Sequence, residues 1–139
     1  MSLRLSHTSI DARNAYQQSL WWSAALGYAE DPDDPNLPGH EECLIISPDG
    51  ATRLLFIEVP EEKTIKNRLH LDLRPTDTTR AAEVERLIAA GAEHAAGPEH
   101  AADFIRADGT GWVTLRDPEG NEFCILTGQP ELDALNAEQ

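Results

Sequence analysis

The chain has 139 residues, of which 40% are hydrophobic and 26% charged, the makings of one domain with one substantial core. Its 11 basic residues stand against 25 acidic ones, a net charge of −14, which argues against nucleic acid and anionic membrane surfaces as partners. Two cysteines, Cys43 and Cys124, make no disulfide framework, and no signal peptide or long apolar run is present, so a cytoplasmic protein with reduced thiols is expected.

The first expected strand is Arg4 to Ile10. Asp11 follows as an N-cap candidate, since its carboxylate can accept from the first-turn amides. A helix is expected over Ala12 to Leu26. Tyr16, Leu20 and Ala24 recur every four residues, Trp22 and Leu26 form a neighbouring row, and Gly27 ends the helix. Of the two adjacent tryptophans, one is expected in the core and the other toward an interface. Acidic, proline-rich turns follow, then two strands, Glu42 to Ser47 and Thr52 to Val59, joined by Pro48-Asp-Gly50.

The pattern then starts again. Asn67 to Arg74 reads as a strand, with Leu69, Leu71 and Leu73 on one face and Arg68, His70, Asp72 and Arg74 on the other. Thr76-Asp77 opens a helix whose apolar stripe is Ala81, Val84, Leu87 and Ile88, and Gly91 ends it. Further strands are expected from Glu93, from Phe104, over Trp112 to Arg116 and over Glu122 to Leu126, with Asp108-Gly109 and Glu119-Gly120 as turns. Residues 128–139 read as a polar tail, loose or weakly helical. The two halves, about 4–60 and 67–127, are two βαβββ modules of a single domain over 4–127. Each alone is too small to bury a core well.

Ser6-His-Thr8, Leu20 to Tyr28, Leu69-His-Leu-Asp-Leu73 and Asp117-Pro-Glu-Gly-Asn121, in this order and spacing, resemble the vicinal oxygen chelate superfamily. That superfamily takes in glyoxalase I, extradiol dioxygenases and the fosfomycin and bleomycin resistance proteins; the small actinobacterial glyoxalase-like branch is the nearest likeness. The resemblance implies an α+β fold, with tandem βαβββ modules forming a curved sheet around a cleft. It also implies a small-molecule ligand and, commonly, a homodimer. In metal-using members four strands each bring one ligand. Carried over, those positions fall on His7, His70, Cys124 and a residue near Ile57, with Glu58 as substitute if the strand is offset by one residue.

A His, His, Cys set suits zinc better than magnesium or manganese, and three protein ligands leave a position for water or substrate. The bland alternative is that His7 and His70 are polar pocket residues and Cys124 a small core residue. Asp72 either orients His70 or pairs with a nearby arginine. Cys43 reads as core, and His94 and His100 as solvated loop. Glyoxalase-type chemistry asks for a carboxylate base, for which Glu58 and Glu122 are the candidates; without a glutamate at a ligand position, glyoxalase I activity itself is not expected. Trp112, Thr114, Phe56 and Asp72 are the expected pocket lining, an aromatic wall suiting an apolar or planar ligand.

Two function classes follow. One is a metal-dependent lyase, isomerase or dioxygenase acting on a small molecule with adjacent oxygens. The other is a metal-free domain that sequesters a small molecule, as drug-resistance relatives do.

Overall fold

The computed structural model describes residues 2–95 and 103–139, which form two compact units, Met1–Glu62 and Lys63–Gln139. The fold is α+β. Among the described residues, no helix is long and apolar enough to cross a membrane.

The first unit contains β1 (Thr8–Ala12), α1 (Ala15–Leu26), β2 (Glu42–Ile46) and β3 (Arg53–Glu58). Its sheet runs β1-β3-β2, with β1 parallel and β2 antiparallel to β3. β1 begins later than the sequence suggests and runs through Asp11, which pairs with Ile57 in the ladder instead of capping the helix. Asn14 is the N-cap, its side-chain oxygen accepting from the Gln17 amide at 3.0 Å. Gly27 ends α1 at φ 70°, a left-handed conformation that favours glycine.

The buried stripe of α1 is Ala15, Gln18, Ser19 and Trp22; of the expected rows Trp22 is buried, while Leu20 is exposed. Small Ala15 and Ser19 let the helix lie close to the sheet, and Trp22 fills the remaining space. The Ser19 hydroxyl is satisfied by the Tyr16 carbonyl at 2.7 Å. Trp21 is half-buried and meets the Trp22 ring edge-on, 5.0 Å between centroids. Cys43, Ile45, Leu54 and Phe56 share the buried side of the sheet, where Cys43 hydrogen-bonds Ser19 of α1.

The second unit contains β4 (Asp72–Leu73), α2 (Arg80–Ala89), β5 (Glu93–His94), β6 (Phe104–Ile105), β7 (Gly111–Arg116), β8 (Glu122–Leu126) and α3 (Gln129–Ala137). Its sheet runs β4-β8-β7-β5, with β6 also on β7. The plan of the first unit recurs: the opening strand lies parallel to the closing strand, which pairs antiparallel with the one before it. The further strand of each module is β5 here; in the first unit it shrinks to an Ala29–Ile46 bridge.

Three expectations change in this unit. Only Asp72–Leu73 of the predicted Asn67–Arg74 strand is strand, and Leu69 is 86% exposed. The reason is Glu122, whose carboxylate takes the Asn67 amide at 3.0 Å and so binds that backbone outside any ladder. Thr79, not Thr76 or Asp77, caps α2, and of the expected stripe Leu87 is buried while Ile88 is 44% exposed. The tail folds as α3. Glu131 accepts from the Gly128 amide (2.6 Å) and from the Arg80 amide (2.8 Å), so one carboxylate starts α3 and ties it to the start of α2. Gly111 allows a close approach: a Cβ there would sit 1.8 Å from the Phe104 carbonyl oxygen.

Candidate metal and ligand site

Alternation along β8 places Glu122, Cys124 and Leu126 on one face and Phe123 and Ile125 on the other. In register, Cys124 stands between Asp72 of β4 and Thr114 of β7. The backbone holds that register firmly, because the Cys124 amide donates to the Leu71 carbonyl at 2.9 Å. His70 lies two residues before Asp72, and its Nδ1 is 3.0 Å from Asp72 Oδ1. His70, Asp72 and Cys124 each offer a ligand atom, all within 4.8 Å of one another. Cys124 is buried, while the His70 and Asp72 side chains are 35% and 50% exposed. The cluster thus has a closed floor and an open mouth.

Thr114 Oγ1 lies 3.5 Å from the Cys124 sulfur, the floor's other polar contact. Burial pushes the Cys124 thiol above its ordinary value, and the nearby Asp72 carboxylate pushes the same way. The Thr114 hydrogen bond and the Lys66 charge oppose that rise. A metal ligand must lose this proton, so metal uptake at Cys124 competes with it. A thiol nucleophile would need the opposite shift.

The donor set fits a borderline divalent ion. Thiolate and imidazole favour zinc, and Asp72 adds the carboxylate that both last-strand positions lack. His70 Nδ1 and Asp72 Oδ1, 3.0 Å apart, are close enough to share one ion.

The other expected residues are spread between the two units. His7 precedes β1 in the first unit, exposed, with Nδ1 3.0 Å from the Ser6 hydroxyl. Ile57 is half-buried, and Glu58 is exposed at the end of β3, on the side that carries Leu54 and Phe56. Phe56, expected in a pocket, is fully buried opposite Cys43, on the α1-facing side of its sheet. Glu122 is buried and engaged: Lys63 Nζ sits 2.8 Å away, and the carboxylate also holds the Asn67 amide.

Trp112 is half-buried on the same face of β7 as Thr114, and its ring lies 5.0 Å from that of Phe104. His94, expected in a solvated loop, is in β5 and pairs with Asp103 at 2.8 Å. His100 lies outside the described residues. Asp117 is a further polar group on the unit's frame. Buried at the start of the Asp-Pro-Glu-Gly-Asn turn, it accepts from the Glu119 and Asn121 amides and so sets the entry into β8.

Residues 7–126 match the family model described as "Glyoxalase-like domain". No curated protein sequence matches the chain. Among solved structures, the chain is similar to a fosfomycin resistance protein, FosX, of Listeria monocytogenes, solved with Mn(II) and 1S,2S-dihydroxypropylphosphonic acid. The TM-score is 0.67 at 14% identity, covering 99% of each chain. "Oxidase ChaP-H2" gives a TM-score of 0.63 at 21% identity, over 91% of this chain and 94% of that one. A glyoxalase/bleomycin resistance/dioxygenase family enzyme from Burkholderia phytofirmans PsJN gives 0.62 at 22%, over 89% and 98%. At these identities the structures speak for the fold, while the family match spans most of the chain. The chain belongs to the glyoxalase-like domain family.

Proposed function

We propose that this protein is a metal-dependent enzyme acting on a small molecule with adjacent oxygens, as a lyase, isomerase or dioxygenase, with zinc the best-suited ion. The observation that carries this reading is the convergence of His70, Asp72 and Cys124 within 4.8 Å. When bound, the ion would supply Lewis acidity toward substrate oxygens.

The chain's own groups do the rest. Asp72 would share the ion with His70, the ion replacing their direct contact. Cys124 is the buried anchor of the set, and Thr114 braces its sulfur. Trp112, on the same sheet face, offers an aromatic wall to a planar or apolar part of the ligand. Glu58, expected as a base, lies on the side of β3 that carries Leu54 and Phe56, which does not favour that role. Glu122 is occupied by Lys63 and the Asn67 amide, so its role is to hold the segment leading to His70. His7 is proposed as a ligand on the resemblance alone.

One observation favours the second reading, a metal-free binding domain: burial keeps the Cys124 thiol protonated and hydrogen-bonded to Thr114. Elemental mass spectrometry separates the two, using protein purified without tag or chelator. Near-stoichiometric metal in wild type, lost in His70→Ala, Asp72→Ala and Cys124→Ala, supports the enzyme. If the protein stays metal-free even after reconstitution with zinc, the ligand-binding reading replaces it. The His7→Ala variant tests the fourth candidate in the same run.

A further inference from the structure

Among the described residues, β7 is paired along one edge by two short strands, β5 and β6. β5 pairs with it at Leu115 and Arg116, and β6 at Gly111 and Trp112. Thr114 falls between these two patches. Its carbonyl accepts from the Ala95 amide at 3.0 Å, the last bond of the β5 side. The Thr114 N–H points toward the same edge, as both groups of one residue do in a ladder. Among the described residues no strand carbonyl meets it there. Asp103 Oδ1 accepts it instead, at 2.9 Å. The other carboxylate oxygen, Oδ2, takes His94 Nε2 at 2.8 Å. Thr114 is fully buried, so an unmet amide at this point would be costly. The same residue carries the hydroxyl that contacts Cys124 Sγ, its direct cross-strand partner.

We infer that Asp103 is a positioning residue for Cys124. Its carboxylate accepts from the buried Thr114 amide, with His94 gripping it from the solvent side. The closed edge keeps β7 against β8 in the register that sets Cys124 beside Asp72. The catalytic meaning of this link rests on the reading of the site above; the positioning itself needs no metal.

Each unit carries one buried free thiol, so Cys43 is an internal control. The experiment is native-state labelling with iodoacetamide at fixed pH, in chelator, read by peptide mass spectrometry. Asp103→Ala removes a charge-assisted hydrogen bond at a buried amide, and should speed Cys124 labelling about tenfold while leaving Cys43 unchanged. Asp103→Asn keeps an acceptor for the Thr114 amide and should restore most of the protection. His94→Ala removes the group that holds the carboxylate and should speed Cys124 alone by about threefold.

Equal acceleration of Cys43 and Cys124 would mean general loosening and would overturn the inference, as would an unchanged Cys124 rate in Asp103→Ala. Should Asp103→Ala not fold, an unchanged Cys124 rate in His94→Ala overturns it. Metal-free wild type with selective Cys124 labelling in the variants would sink the metal reading and leave Asp103's role standing.

Discussion

The two units share a plan and differ in what they put on it. Each opens with a strand laid parallel to its closing strand. Each has a histidine just before that opening strand, His7 or His70, and one buried cysteine. In the first unit Cys43 lies on the α1-facing side with Ile45, Leu54 and Phe56, and Ser19 is its hydrogen-bonding partner. In the second, Cys124 lies on a face with Asp72, Thr114 and His70 around it. A cysteine on the apolar side of a sheet is a packing residue; on a face with an imidazole and a carboxylate it is placed where a ligand donor is needed. Side-chain parity on the strand, not residue type, makes that difference.

The comparison can be broken from the first unit. Phe56→Ala should cost about 3–5 kcal/mol, seen in denaturant unfolding, because a fully buried ring leaves a cavity. Metal uptake should be untouched in the folded fraction; a parallel loss of metal would give Phe56 the pocket role expected from the sequence.

From the second unit, Glu122→Gln should cost about 1.5–3 kcal/mol, since it removes a buried carboxylate from Lys63 and the Asn67 amide. It should also loosen residues 63–70 in hydrogen exchange before the rest of the unit. Asn14→Ala removes the α1 cap and should cost about 1 kcal/mol, with no effect on the second unit's metal uptake.

The smallest effect is in pH. Burial raises both thiols above their ordinary value, with the strongest opposing contribution a hydroxyl hydrogen bond in each case. A folded value above the unfolded one stabilises below the unfolded value, and that stabilisation is lost as pH rises through the folded value. Metal-free protein should therefore lose stability on the alkaline side. The stability difference between wild type and Cys43→Ala should narrow there. Zinc should abolish the Cys124 part of this loss and leave the Cys43 part, which a thermal-melt series across alkaline pH would resolve.

Local signals were legible in the sequence where one residue decides the geometry. Gly27 ends α1, Pro48-Asp-Gly50 joins β2 to β3, and the bounds of β8 match the alternation of Glu122 to Leu126. The contact of His70 with Asp72 was one of two alternatives open in the sequence, and it forms although His70 lies before β4. What escaped depends on distant partners. The 67–71 segment has a strand pattern, but the Glu122 carboxylate captures it. α3 has a glycine where a capping side chain is usual, and its anchor is the Arg80 amide, remote in sequence. Asp72 as the missing carboxylate, and Asp103 at the edge of β7, emerge only once β4, β7 and β8 are in register.

Whether Cys124 and His70, with Asp72, hold a divalent ion is read directly by cobalt(II) substitution, since thiolate ligation gives an intense sulfur-to-metal charge-transfer absorption. That band is expected in wild type, with its loss in Cys124→Ser while weaker binding is retained, and loss of binding in His70→Ala. A cobalt spectrum without the sulfur band, or one unchanged in Cys124→Ser, would contradict that reading.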